Sequence, residues 1–130
     1  MSDYFMHFDD LDKDAFGTIT SAIGSKVHGE RLVIGLARKA AGTGSKPHRH
    51  PVEQFNYILQ GTMKAEVDGE VAEVPAGGLV RIPPNVLHSF VATGNEDVVF
   101  LSIKDKSSEQ TTGIPEDGVY DGPRVLDEEG

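Results

Sequence analysis

Three histidines and one glutamine carry the strongest chemical signal in this chain. His48-Arg49-His50 sets two imidazoles two residues apart, and in an extended strand such side chains leave the same face, so both can reach one ion. Pro47 and Pro51 bracket the pair. The residue before a proline is pushed out of the helical region, which holds Lys46 and His50 extended and stiffens the segment. Gln54 lies four beyond His50 and keeps its parity, as do Asn56 and Ile58. Glu53 has the opposite parity unless Pro51-Val52 introduces a bulge. Much later, Pro83-Pro84-Asn85-Val86-Leu87-His88 brings a third histidine directly after a turn, at the start of a strand. A lone histidine is usually a surface or satisfied core residue. The pair, the third ring and the glycine and proline frame together point to a site.

The elements that must position these residues read as short strands. The chain has 130 residues, the size of one domain. Leu32, Ile34 and Leu36 alternate with Val33, Gly35 and Ala37, a strand covered on both faces. Met63, Ala65 and Val67 alternate with Lys64, Glu66 and Asp68, a half-buried strand. Asp68-Gly69 predicts a tight hairpin, since a type I′ turn needs positive φ at both central residues. Glu70–Val74 returns, and Val80–Ile82, Ser89–Ala92 and Val98–Ile103 read as further strands. No long stretch has helical period. An all-β barrel or sandwich is indicated. Residues 1–29 read as an N-terminal arm and first strand, 30–104 as the barrel, and 105–130 as an acidic C-terminal arm or tail.

Composition narrows the function. Twelve Lys+Arg against 21 Asp+Glu give a net charge of −9, which argues against nucleic-acid and membrane partners. No apolar run reaches the length of a membrane span, and Met1-Ser2-Asp3-Tyr4 lacks the basic start of a signal peptide. A cytoplasmic protein is expected. The absence of cysteine excludes thiolate metal sites, disulfides and cysteine nucleophiles.

The histidine segments resemble the two motifs of the cupin superfamily. The first, G-x5-H-x-H-x3-4-E-x6-G, falls on Gly42, His48, His50, Gln54 and Gly61. The second, G-x5-P-x-G-x2-H-x3-N, falls on Gly77, Pro83, Asn85, His88 and Ala92. Gln54 stands where the acid usually is, Asn85 where a turn glycine is, and Ala92 where the final asparagine is. Asparagine tolerates the left-handed conformation, so Asn85 is benign. The resemblance implies a small single-domain cupin: an all-β double-stranded β-helix, or jelly roll, with terminal arms. It also implies one divalent transition metal held by His48, His50, Gln54 and His88. Such ligands suit Mn, Fe, Co, Ni or Zn. With glutamine in place of a carboxylate the ion keeps its full charge. It becomes a stronger Lewis acid and favours an anionic substrate, at some cost in retention. Glu53 is the alternative fourth ligand, though the spacing to Gly61 suits Gln54; as an ordinary side chain it is exposed or orients a histidine.

Around this centre, Glu53 and Arg38 are the candidate catalytic residues. Arg38 shares the parity of Leu32, Ile34 and Leu36 and could pair with a substrate carboxylate, or simply reach solvent. Asn56, Phe90 and Arg81 are candidate pocket residues. Phe100 reads as wall or core, Tyr57 as facing away, and His7 and His28 as non-ligands. The H-x-H-x2-E-Q run is similar to small cupins that linearise unsaturated uronates. Those carry an Asp base and an Arg about the last strand, where this chain reads Leu101-Ser102-Ile103-Lys104-Asp105-Lys106, so that substrate is not carried over. Two functions stay open. One is a metal-dependent enzyme, lyase, isomerase or dioxygenase, on a small oxygenated molecule. The other is a non-catalytic binder of a small molecule whose metal is structural or vestigial. A homodimer is expected, because a minimal barrel leaves a sheet face and edges to cover.

Overall fold

The computed structural model describes residues 2–17, 20–107 and 114–115. Among them the chain forms β1 (Asp14–Ala15), β2 (Ile23–His28), β3 (Leu32–Lys39), β4 (His48–Arg49), β5 (Gln54–Gln60), β6 (Thr62–Val67), β7 (Glu70–Pro75), β8 (Leu79–Ile82), β9 (His88–Ala92), β10 (Val98–Asp105) and β11 (Ile114–Pro115). A 3-10 turn occupies Phe8–Asp10. The strands pair antiparallel in two sheets, ordered β1-β2-β3-β10-β5-β8 and β11-β4-β9-β6-β7. The all-β expectation is met. No helix is long and apolar enough to cross a membrane among the described residues.

Strand parity builds the interior. Ile58 of β5, Met63 of β6, Phe90 and Ala92 of β9, and Val98 and Phe100 of β10 meet between the sheets. Ile58, Met63, Ile82 and Val98 have no exposed surface, and each such side chain is worth roughly 1.5–3 kcal/mol of burial. Further along the same strands the inward positions turn polar: Gln54 and Asn56 on β5, His88 on β9, Ser102 on β10, all buried. The apolar stretch thus closes the interior, and the polar stretch beside it carries the site.

Two turns set the strands around that polar end. Asp68 (φ 54°) and Gly69 (φ 83°) both take positive φ between β6 and β7, as the type I′ hairpin requires. Asn85 (φ 65°) takes the left-handed conformation three residues before His88, doing the turn work of a glycine.

On β3 the structure corrects the sequence reading. The inward set is Val33, Gly35, Ala37 and Lys39, and Arg38 lies on the outer face with Leu32, Ile34 and Leu36. The inward residues are small because other groups press on them. The Phe16 ring occupies the space over Gly35, where a Cβ would meet it at 2.8 Å. Phe16 therefore brings part of the N-terminal segment into the core, and Ser25 Oγ ties the same segment down by donating to Asp12 O at 2.9 Å. Most of the C-terminal arm expected over 105–130 lies outside the described residues. Ile114–Pro115 pairs with β4, placing Pro115 in register with His48.

Candidate metal centre

His48 on β4 is in register with His88 on β9, and His50 follows one residue after β4. The Asn85 N–H donates to His50 O at 2.8 Å, so the turn that delivers His88 is fastened to the segment that delivers the other two rings. One candidate ligand nitrogen from each imidazole lies within 4.8 Å of the others. Ring centroids are 4.3 Å apart for His48 and His88, 4.8 Å for His50 and His88, and 5.9 Å for His48 and His50.

Each ring is oriented by a nearby carbonyl. Nδ1 of His48 meets Lys46 O at 2.6 Å, that of His50 meets Val52 O at 3.1 Å, and that of His88 meets Val86 O at 2.8 Å. A carbonyl only accepts, so the Nδ1 atoms of His48 and His88 carry the proton and their Nε2 atoms offer a lone pair, while His50 meets an acceptor at each nitrogen, Val52 O at Nδ1 and Gln54 Oε1 at Nε2. Gln54 is fixed in the same manner. Its Nε2 donates to Asn56 Oδ1 at 2.9 Å and to Ser102 Oγ at 3.3 Å, which turns Oε1 toward the rings.

Burial keeps the imidazoles neutral. Desolvation is the main cause in each case, pushing His48 down to about 4 and His88 down to about 3, and lowering His50 as well. Neighbouring positive groups add to the effect: Lys104 acts on all three rings and Lys39 on His48. Neutral rings are the metal-binding form. Because His48 and His88 protonate at pH 6.5 when unfolded but only near pH 4 and 3 when folded, their contribution to stability is complete above pH 6.5. It is lost as pH falls toward those folded values. Metal-free protein is expected to lose about 3 kcal/mol for each of these two rings between pH 7 and pH 4 in denaturant titrations.

The donor set fits a divalent cation. His50 Nε2 and Gln54 Oε1 stand 3.0 Å apart. In the neutral tautomer with the proton on Nδ1 both atoms present lone pairs to a cation; with the proton on Nε2 the ring donates to Gln54 Oε1 instead, so metal binding selects the first form. Two ligands at about 2.1 Å and at right angles on one ion are about 3.0 Å apart. The set His48, His50, His88 and Gln54 therefore offers three nitrogens and one oxygen, all uncharged.

The remaining candidates divide. Asn56 is buried and orients Gln54; Phe90 is buried, with its ring centroid 5.8 Å from that of His88. Arg38 is not brought to the centre. It points outward and pairs with Asp97 at 3.0 Å, whose carboxyl is held below the usual range by the Ala41 N–H and then by Arg38. Arg81 is exposed on the outer parity of β8, and Glu53 is exposed one residue before Gln54. His28 is exposed, and so is His7, which instead accepts from Asp9 N–H at the 3-10 turn. Phe100 is core and Tyr57 faces outward, 39% exposed. Ser102, Lys104 and the buried Lys39, whose Nζ donates to Thr20 Oγ1 at 2.6 Å, were not singled out from the sequence. Extending the parity of Val98 and Phe100 along β10 finds Ser102 and Lys104. Lys39 follows only once the parity of β3 is right.

Known proteins share this architecture. The family described as "Cupin domain" matches residues 35–104, more than half of the chain. A dimethylsulfoniopropionate lyase, DddW of Ruegeria pomeroyi, is 34% identical over 61 residues, covering 47% of this chain and 40% of the lyase. A Streptomyces cyaneus protein named polyketide synthase CurC is 32% identical over 65 residues, covering 49% of this chain and 42% of its own length. The chain thus spans less than half the length of these curated relatives. The solved structure of an RmlC-like cupin from Shewanella frigidimarina superposes with a TM-score of 0.73 at 19% identity, covering 84% of this chain and 96% of that one. By fold, by both histidine segments and by the extent of the match, the chain belongs to the cupin family.

Proposed function

We propose that this chain holds one divalent transition metal through His48, His50, His88 and Gln54 and acts as a lyase- or isomerase-type enzyme on a small, oxygenated, anionic molecule. The observation that carries this reading is the convergence of uncharged donors, with no carboxylate among the buried described residues. A bound divalent ion supplies Lewis-acid polarisation of a substrate oxygen and acidifies a coordinated water. The chain's own groups hold the geometry. The Lys46, Val52 and Val86 carbonyls set the rings, Asn56 and Ser102 set the Gln54 amide, and Phe90 walls the interior beside His88. Four protein donors leave room on a six-coordinate ion for substrate. The same openness admits a dioxygenase if the metal is iron. One curated relative is a lyase by name, which accords with the first chemistry.

A non-catalytic binder is the second reading, and one observation favours it. Among the described residues no buried carboxylate stands ready as a general base, and Glu53 is exposed. The test is a screen of small hydroxy- and oxo-carboxylates with metal-loaded protein. Turnover lost on chelation and restored by one metal supports the enzyme; ligand binding without turnover under every metal supports the binder. We also propose a homodimer packed through the outer face of the six-stranded sheet. Ile23, Leu32, Tyr57 and Leu79 all expose apolar surface there. Light scattering at micromolar concentration is expected to give twice the chain mass; a monomer contradicts it.

A further inference from the structure

The two sheets leave a gap where β7 and β8 meet. β7 is the last strand of the five-stranded sheet and β8 the last of the six-stranded one, joined by a turn at 76–78. Pairing sets Glu70, Ala72 and Val74 of β7 opposite Val67, Ala65 and Met63 of β6, so they share the inward face. Ala65 and Met63 are buried there, yet Glu70 and Ala72 are exposed. A cavity of about 370 Å³ lies between β7 and β8, the size of a small-molecule site. Short apolar side chains make the room: Ala65, Ala72 and Val74 on one side, Val80 on the other. The charges around it are of opposite sign. Asp68 and Glu70 lie at the hairpin end. Arg81 lies on β8, an edge strand from which a long stem reaches the cavity in spite of its outer parity. Among the described residues none of these three side chains has a hydrogen bond or ion pair, whereas Arg38 is matched by Asp97 at 3.0 Å. None of the four metal donors lines the cavity, which is therefore a second site.

We propose that this cavity binds a small aliphatic zwitterion, an amino acid with a branched hydrocarbon side chain. The hydrocarbon fills the space between β7 and β8, the carboxylate meets Arg81, and the ammonium meets Glu70 and Asp68. Charge complementarity selects this class. A plain carboxylic acid satisfies Arg81 but brings its charge toward two other carboxylates. A plain amine satisfies the acids and leaves the guanidinium unmet. Because the charged groups are exposed, each ion pair contributes about two- to fivefold in affinity, and burial of hydrocarbon supplies the rest. The site is independent of the metal centre and of its occupancy.

The test uses leucine as the probe, with 4-methylpentanoate and isopentylamine as its singly charged counterparts, and reads amide shifts in NMR titrations. Ala72→Phe fills the cavity from an exposed inward position, and Arg81→Gln and Glu70→Gln each remove one charge at an exposed position. Wild type is expected to bind leucine with a Kd on the order of millimolar, with shifts centred on β7 and β8. Each singly charged counterpart binds about two- to fivefold more weakly. Arg81→Gln weakens leucine and 4-methylpentanoate but not isopentylamine, and Glu70→Gln weakens leucine and isopentylamine but not 4-methylpentanoate. Ala72→Phe loses all three ligands. Absence of leucine shifts in wild type overturns the proposal, and so does 4-methylpentanoate binding as tight as that of leucine. Leucine held by a metal ion would keep its affinity in Ala72→Phe, which also overturns it. Should Ala72→Phe fail to fold, the two charge variants decide: leucine affinity equal to wild type in both overturns the proposal.

Discussion

Replacing His88 by alanine is expected to weaken divalent-metal binding by roughly a thousandfold or more. The ring is 2% exposed, its Nδ1 is committed to Val86 O, and its centroid is the nearest neighbour of both other rings. Removing it opens a gap in the donor set that no neighbour fills, since the adjoining inward side chains, Phe90 on β9 and Val67 across on β6, are hydrocarbon. The effect on the fold should be small and of opposite sign in acid. A buried imidazole that resists protonation destabilises the native state at low pH, so the variant should unfold at lower pH than wild type. Asn56→Ala and Ser102→Ala act one step removed. Each frees the Gln54 amide to turn, and each should cost about 10–100-fold in metal affinity. Arg81→Ala, on an exposed outer position, should leave the affinity unchanged. Dye competition with zinc at pH 7.5 reads all four. Equal affinities in wild type and His88→Ala would remove the ring from the site.

The second large effect is on folding. Gly24 of β2 pairs with Ala37 of β3, and a Cβ at that position would stand 1.9 Å from Leu36 O. The obstacle is backbone in a sheet interior, so it cannot be relieved by turning a side chain. Gly24→Ala should displace β2 from β3, cost about 3 kcal/mol or more, and lower Tm by about 10 °C. Gly69→Ala is the informative contrast. Its φ of 83° is strained for alanine, but nothing lies within 4 Å of the added carbon, so only about 1 kcal/mol should be lost. Thermal unfolding of the two variants beside wild type separates collision from conformational strain. A Gly24→Ala protein as stable as wild type contradicts the close packing of β2 on β3.

Much of this architecture is legible in the residues, and the exceptions have physical causes. The β6–β7 hairpin is written in Asp68-Gly69 and in the alternation from Met63 to Val67, because one face of that ribbon is wet. β5 carries its parity openly too: Gln54, Asn56 and Ile58 are buried while Tyr57 and Leu59 are not. On β3 the signal is ambiguous, since Ile34 and Leu36 are half-buried on one side while Val33 and Ala37 are buried on the other. Hydrophobicity on both faces erases the period-two pattern. There the inward face is marked by smallness, through Gly35 and Ala37, rather than by apolar bulk. That ambiguity leaves Arg38 open to the pocket or to solvent in the sequence and gives no sign of Lys39. The histidine segments are legible through their spacing, their glycine and proline frame and the resemblance these carry, whereas the turn of the Gln54 amide needs Ser102, which is 48 residues away in the chain.

Extended X-ray absorption fine structure of the zinc-loaded protein tests the central claim most directly. The expected spectrum is one ion with a first shell of nitrogen and oxygen at about 2.0–2.1 Å and outer-shell scattering from three imidazoles. A first shell with one imidazole or none, or protein that retains no ion after desalting, contradicts the centre described here.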